Sequence, residues 1–515
     1  MTSTSTDNGL AADTPPSGPD PTAEPQSPFT AVAQFARAHP WTIVNVLIAI
    51  VAFGVVRWAR SSPGYDPYGW LVWGYQGIRG TLNLAGAPSW KPVTFLFTLP
   101  YSIFGHLSFW LWLTTATAFG FGGPIIGGRI AYRIVRPQSR TVWPAVIAAC
   151  FTATAMVTIV AHDTQLLPYL HYVLSFQSDP MLVTFFLLAV DAFISGKYRL
   201  THTWLLLVSL GRPEGWVILG PFALWLWFTH PQYRKFSVAE LILIPALWFG
   251  VPVLCGQPWD VAGNLAQNSP RAPHGNKIVA VIDRYRDLTF WPVFAGAAIA
   301  TVYGAVTRNR LVLVAVAAPI AWMICEIGFA LHGWPAVARY MFEAGAATVV
   351  LGGVGIGLLA TWAWDHGPPA RRVAAGALAV VLVAFLVPYG KDQWDSEHKD
   401  FDAQRVRTQS IAMLHGTISE LGGPKFINSC GIPTTFVGTA SILAWYTHNN
   451  VSTVGYNPAA MIAGDAPVVL FNSVPGGWNV TTYHLTGPAR LRCAALDNVS
   501  WITTPSHPHG VLVHG

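Results

Sequence analysis

Residues 201–229 read THTWLLLVSLGRPEGWVILGPFALWLWFT. Both flanks are apolar, while the centre, Gly211-Arg212-Pro213-Glu214-Gly215, holds two charges between two glycines and a proline. At 1.5 Å per residue the stretch is too short to cross a ~30 Å hydrocarbon core twice. Lys197 with Arg199 before it, and Arg234 with Lys235 after it, nevertheless place both ends on the cytoplasmic side. A short helical hairpin broken at Pro213 meets both conditions. Broken backbone and charge at membrane depth are tolerated only inside protein or beside water, so the hairpin predicts a polar chamber open to the outer face.

The rest of the chain agrees with a membrane reading. Over 515 residues, 52% are hydrophobic and 10% charged, and apolar runs recur at span length. They fall at 41–58, 106–128, 142–161, 181–195, 236–255, 289–306, 311–331, 341–363 and 371–389, besides the hairpin. Arg129, Arg133, Arg136 and Arg140 fill one loop, and Arg308 with Arg310 and Arg371 with Arg372 mark others as cytoplasmic. Arg57 and Arg60 run against this rule and are outnumbered. The sequence thus predicts an all-α polytopic domain of about eleven transmembrane helices in the plasma membrane, with its amino terminus inside. Residues 1–40, rich in Ser, Thr, Pro and Asp, predict a disordered cytoplasmic tail; residues 41–390 form the transmembrane domain. The net charge of +6 sorts onto cytoplasmic loops, which argues against nucleic-acid binding. Gly352, Gly353, Gly355 and Gly357 lie within a span, where small residues permit close helix packing rather than phosphate cradling.

Chemistry gathers in the outer loops. The first, 59–105, opens with Gly64-Tyr65-Asp66-Pro67-Tyr68-Gly69-Trp70 and continues through Trp73, Trp90 and Lys91. Asp66 is either a general base or the start of an Asp-Pro turn. Trp70 and Trp90 either stack on a ligand or anchor interfacial helices. The second loop runs from His162-Asp163 to Ser178-Asp179-Pro180-Met181-Leu182, where Asp179 is a functional acid or a helix cap. The third, 256–288, carries Arg271 and Lys277, and a later short link carries Arg339 and Glu343. His162, Asp163 and Asp179 have no spacing diagnostic of a metal site, and none is assigned.

An acidic motif in a long first outer loop, a second Asp before Met-Leu at the fourth span and the charged tip Arg212-Pro213-Glu214 together resemble the GT-C superfamily of integral-membrane glycosyltransferases. The likeness covers residues 40–390. Ser178-Asp179-Pro180-Met181-Leu182 resembles the Asp-x-Met-Leu segment of its protein O-mannosyltransferase branch, although Asp66-Pro67-Tyr68 departs from that branch's paired Asp-Glu. The resemblance implies inverting transfer from a polyprenyl-phosphate sugar, arabinose or mannose, to an envelope glycan or lipid on the outer face, with no further cofactor. Asp66 then serves as base, Asp179 as a second acid, and Arg212, Arg339, Lys277 and Arg271 as candidates for the lipid phosphate. Tyr65, Tyr68, Trp70, Trp90, Lys91, His162, Asp163 and Glu214 become candidate substrate contacts. The alternative for Arg212 is a buried ion pair with Glu214, Asp66 or Asp179. Protein O-mannosyl transfer and non-enzymatic lipid or glycan transport are the competing functions.

Beyond residue 390 the composition turns polar and predicts a small extracytoplasmic α/β domain over 391–515. It contains an amphipathic helix at 403–421 and strands near 425–427, 468–471, 500–503 and 511–513. Cys430 and Cys493 are its two cysteines, and an oxidising compartment allows them to pair. Residues 441–456, with Trp445, Tyr446 and His448, suit either glycan binding or a packed helix.

Overall fold

The computed structural model describes residues 38–86, 90–162, 166–267, 271–273, 275–365, 368–504 and 507–514. By compactness the chain divides between Ile50 and Val51. The first unit is described from residue 38 and contains the start of the apolar helix Pro40–Ala59. The second unit is mostly helical and ends in a small sheet.

Five described helices are long and apolar enough to cross a membrane, within Thr42–Ala59, Leu107–Gln138, Pro231–Leu254, Arg310–Leu331 and Ala338–Trp364. A sixth span results if Lys277–Arg286 and Trp291–Thr307, bent by 97°, count as one. Helix length alone therefore gives fewer crossings than the expected eleven. The two hairpin arms explain part of the gap: Tyr198–Gly211 and Trp216–Thr229 have 14 residues each, about 21 Å apiece.

The hairpin break is built from sequence. In an unbroken helix the Ser209 carbonyl would accept from residue 213, but Pro213 has no N–H. Arg212 turns to extended backbone (φ −147°, ψ 130°) and the chain resumes through a short 3-10 turn at Pro213–Gly215. The orphaned Ser209 carbonyl instead accepts from two indoles, Trp216 Nε1 at 3.0 Å and Trp248 Nε1 at 2.9 Å. Glycine is required on both sides of the tip. A Cβ on Gly211 would press into Leu182, and one on Gly215 would meet the Ser209 backbone.

The helix Tyr65–Arg79 starts with Asp66 and Pro67 in its first turn, where a carboxylate complements the helix dipole and a missing N–H costs nothing. It stops at Gly80, whose φ of 66° suits glycine. Its Trp70 and Trp73 pack edge-on against Trp112 and Trp90 in the main core.

Helix Pro369–Glu420 runs unbroken through residue 390, where a domain boundary was expected. The expected helix at 403–421 is its final portion. The sheet lies in chain order, Ile432–Thr434, Val468–Val474, Gly477–Tyr483, Val499–Thr504 and His507–His514, with the first pair parallel and the others antiparallel. Residues 425–427 belong to the helix Gly423–Cys430 rather than to a strand, because Pro424 opens a helical turn and Ile427 buries one face. A disulfide joins Cys430 to Cys493. Trp478 Nε1 donates to the Ser410 carbonyl at 2.8 Å, tying the sheet to the long helix.

Candidate active site

Two aspartates at helix starts meet two arginines from distant parts of the chain. Arg212, at the hairpin tip, forms an ion pair with Asp179 and a second with Glu343 (Nε to Oε1, 3.4 Å). Arg339, on the turn Ala338–Met341, lies 3.5 Å from Asp66 and 4.0 Å from Asp179. Arg212 also donates to the Arg339 carbonyl at 3.2 Å, and both guanidiniums lie over the Tyr340 ring, at 4.4 and 5.8 Å from its centroid. The Asp179 carboxylate is therefore directed at arginine, and the capping alternative does not describe it.

Lys91 extends the cluster. Its ammonium donates to Ser178 Oγ at 3.3 Å and lies 5.6 Å from the Trp70 ring centroid. Burial pulls it below the ordinary lysine range, and Asp179 opposes that shift. Glu214 is buried at the tip, and Glu326 lies against it. Asp66, Asp179, Glu214, Glu326 and Glu343 thus share one region with Lys91, Arg212 and Arg339.

Accessibility separates these groups by role. Arg212, Asp179 and Glu343 expose 3%, 1% and 0% of their side chains, whereas Asp66 exposes 19% and Arg339 17%. Asp66 and Arg339 form the reachable edge, and the other pairs hold it from beneath. The segment before Asp66 is also fixed. Arg407 donates to the Ser62 carbonyl at 2.6 Å, Ser62 N–H donates to Thr408 at 2.8 Å, and Gly64 N–H donates to the Ser175 carbonyl at 3.0 Å. On the neighbouring loop, His171 bonds Asp400 at 2.6 Å, and Asp400 accepts from Gln404 at 2.6 Å.

The remaining sequence candidates separate from this edge. Trp70 and Trp90 are buried, and Trp90 donates to the Leu247 carbonyl at 2.9 Å, so neither presents a free face for a sugar. Tyr68 is buried against Phe109, Trp445 and Tyr446; Tyr65, beside Asp66, is half-buried. Protein packing occupies these rings because the first-loop helix is covered on both sides. Lys277 opens the helix Lys277–Arg286, and the Arg271 carbonyl accepts from Arg284. Among the described ion pairs, neither residue pairs with Asp66, Asp179 or Glu343. His162 ends the strand Val160–His162; its side chain and Asp163 lie outside the described residues. Among the described residues, no His, Cys, Asp and Glu form a metal-binding group. Tyr340, the plank beneath both arginines, carried no signal in the sequence beyond standing next to Arg339.

At the far end of the helix Asp179–Ile194, Arg133 pairs with Asp191 at 2.6 Å and Arg129 at 3.2 Å. Twelve residues of helix, about 18 Å, separate that basic pair from the site.

No family model matches the chain, and no curated protein matches it. Among solved structures it is similar to ArnT from Cupriavidus metallidurans bound to undecaprenyl phosphate, with 14% identity and a TM-score of 0.47 over 92% of this chain and 98% of that one. ArnT from the same organism in the apo state gives 13% identity and a TM-score of 0.48 over 91% and 97%. Both likenesses are distant.

Proposed function

We propose that this chain is a membrane glycosyltransferase of the GT-C type, moving a sugar from a polyprenyl-phosphate donor to an acceptor hydroxyl. The observation that carries the reading is the solvent-reachable, half-buried Asp66–Arg339 pair, backed by the buried Asp179–Arg212–Glu343 group. The acceptor oxygen attacks the anomeric carbon while its proton passes to the Asp66 carboxylate. The bond from that carbon to the phosphate oxygen breaks, and its electron pair leaves with the phosphate, inverting the sugar. The hydroxyl becomes acidic only as it attacks, so a carboxylate is an adequate base. Arg339 neutralises the departing phosphate, releasing Asp66 from its ion pair as the anion enters. Arg212 holds Asp179 and the Arg339 backbone in place.

An apolar cavity of ≈ 430 Å³ between the hairpin arms and the helices Arg310–Leu331 and Phe342–Asp365, extending to the Arg133–Asp191 end of the helix Asp179–Ile194, suits the hydrocarbon chain of a lipid donor. Among the described residues Thr201 is the one polar side chain lining it apart from the indole of Trp225, beside Phe186, Phe193, Phe222 and Leu311. The basic pair at the opposite helix end supports an outward-facing site by the positive-inside rule. Arabinose or mannose is the proposed sugar, and an envelope glycan or lipid the proposed acceptor. Membranes containing the chain, given labelled polyprenyl-phosphate arabinose or mannose, should form a glycosidic product and free polyprenyl phosphate. Lipid movement across vesicles with neither product would overturn the enzyme reading.

A further inference from the structure

A second cavity, ≈ 670 Å³, lies where the first-loop helix meets the carboxyl-terminal region. Its walls include Tyr75 and Arg79 from Tyr65–Arg79, His415 from the long helix, and Trp445, Tyr446 and Asn449 from Ala440–Thr447 and the turn after it. Trp445 packs against Tyr75 at 5.4 Å between centroids, and His415 lies 4.8 Å from Tyr446. Trp445 and Tyr446 are half-buried, while Arg79 and His415 are exposed. Among the described residues no carboxylate lines the cavity; its polar groups are a guanidinium, imidazoles, amides and hydroxyls.

We infer that this cavity binds a glycan, as a subsite for the part of the acceptor distant from the reacting hydroxyl. Half-buried aromatic faces match the apolar C–H faces of sugar rings, and amide, imidazole and guanidinium groups match their hydroxyls. The absence of carboxylates makes the lining compatible with acidic sugars as well as neutral ones. One helix links the two places: Asp66 lies in its first turn and Tyr75 and Arg79 nine and thirteen residues on, about 14 and 20 Å along the axis. That separation accommodates an oligosaccharide rather than a single sugar. The inference rests on the proposed transfer reaction and assigns its acceptor class: a glycan chain, held away from the bond that forms.

The test is binding, measured apart from transfer. Detergent-solubilised full chain is screened on an array of neutral and acidic oligosaccharides, and the best binder is titrated against Arg79→Ala, His415→Ala, Trp445→Ala and Asp66→Asn. The expected result is binding by wild type that weakens at least tenfold in Arg79→Ala or His415→Ala, whose exposed side chains leave the core untouched. Trp445→Ala should weaken it further, and Asp66→Asn should bind as wild type while losing transfer. Failure of wild type to bind any member, or unchanged binding in both Arg79→Ala and His415→Ala, would overturn the inference. Full transfer by Asp66→Asn would instead strike the proposed chemistry and leave the binding result standing.

Discussion

Arg212 and Arg339 should respond to the same substitution in opposite ways. Arg212 is 3% exposed and serves Asp179, Glu343 and the Arg339 carbonyl at once. Arg212→Met leaves Glu343 without its described cationic partner, while Asp179 keeps Arg339, 4.0 Å away, and Lys91 nearby. Removing one member of a buried ion pair costs about 3–5 kcal/mol, and the loss here falls on Glu343 and, in part, on Asp179. Arg339 and Asp66 are 17% and 19% exposed and 3.5 Å apart, so water compensates part of their separation, as it cannot at Arg212. Arg339→Met should cost less stability than Arg212→Met, about 1–3 kcal/mol, yet lower transfer by roughly 10²–10³ as the charge facing the leaving phosphate is lost. Thermal melting followed by tryptophan fluorescence in detergent, together with transfer from a labelled polyprenyl-phosphate sugar, separates the two effects. Adding Glu343→Gln to Arg212→Met should restore part of the melting temperature, because the carboxylate left without its described cation is gone. Arg212→Met melting with wild type, or a double variant no more stable than the single one, would refute this division between support and chemistry.

Three further outcomes follow from local structure. Trp216→Phe or Trp248→Phe should be mild, because the other indole still serves the Ser209 carbonyl; the double variant should lose about 1–3 kcal/mol beyond the packing effects of the singles, checked by a melting cycle. Glu397, on the long helix outside the spans, is pushed up to about 7 by burial and by Asp400. The folded state then holds a proton that the unfolded chain releases, so stability falls as pH rises from about 4.5 to 7. Glu397→Gln should melt with wild type near pH 4.5 and above it at pH 8; an equal difference at both pH values would contradict this. Cys430→Ser opens a loop with a sequence separation of 63 and should cost about 4 kcal/mol on the entropic model, read as earlier proteolysis of residues 423–514.

Much of the site was legible because its chemistry opposes its surroundings. Arg212 and Glu214 stand between glycines in an apolar run, and Asp66 and Asp179 each precede a proline at a helix start. Such residues announce themselves against a membrane background. Their partnership was less legible: Arg339 reaches Asp66 across 273 positions of sequence, and only tertiary packing selects it over Arg271 or Lys277. Trp70 and Trp90 misled for a physical reason. An aromatic residue in an interfacial loop has the same composition whether its face is open or packed, and here Trp112, Trp73 and Phe95 cover those faces. The polar stretch after residue 390 does lead into a small sheet, but the helix Pro369–Glu420 crosses residue 390 because a helix can leave an apolar environment without breaking its backbone hydrogen bonds. The glycan-sized cavity was half visible in Trp445 and Tyr446. Its other wall, Tyr75 and Arg79, comes from more than 360 residues earlier and needed the fold.

The central claim is that Asp66 takes the acceptor proton. Asp66→Asn preserves size and hydrogen-bonding shape while removing the base, and single-turnover transfer from a labelled polyprenyl-phosphate sugar in membranes reads the result directly. A fall of about 10²–10⁴ in rate, with the melting temperature of the variant close to wild type, is the predicted outcome. A folded Asp66→Asn protein that transfers sugar at the wild-type rate would contradict the account.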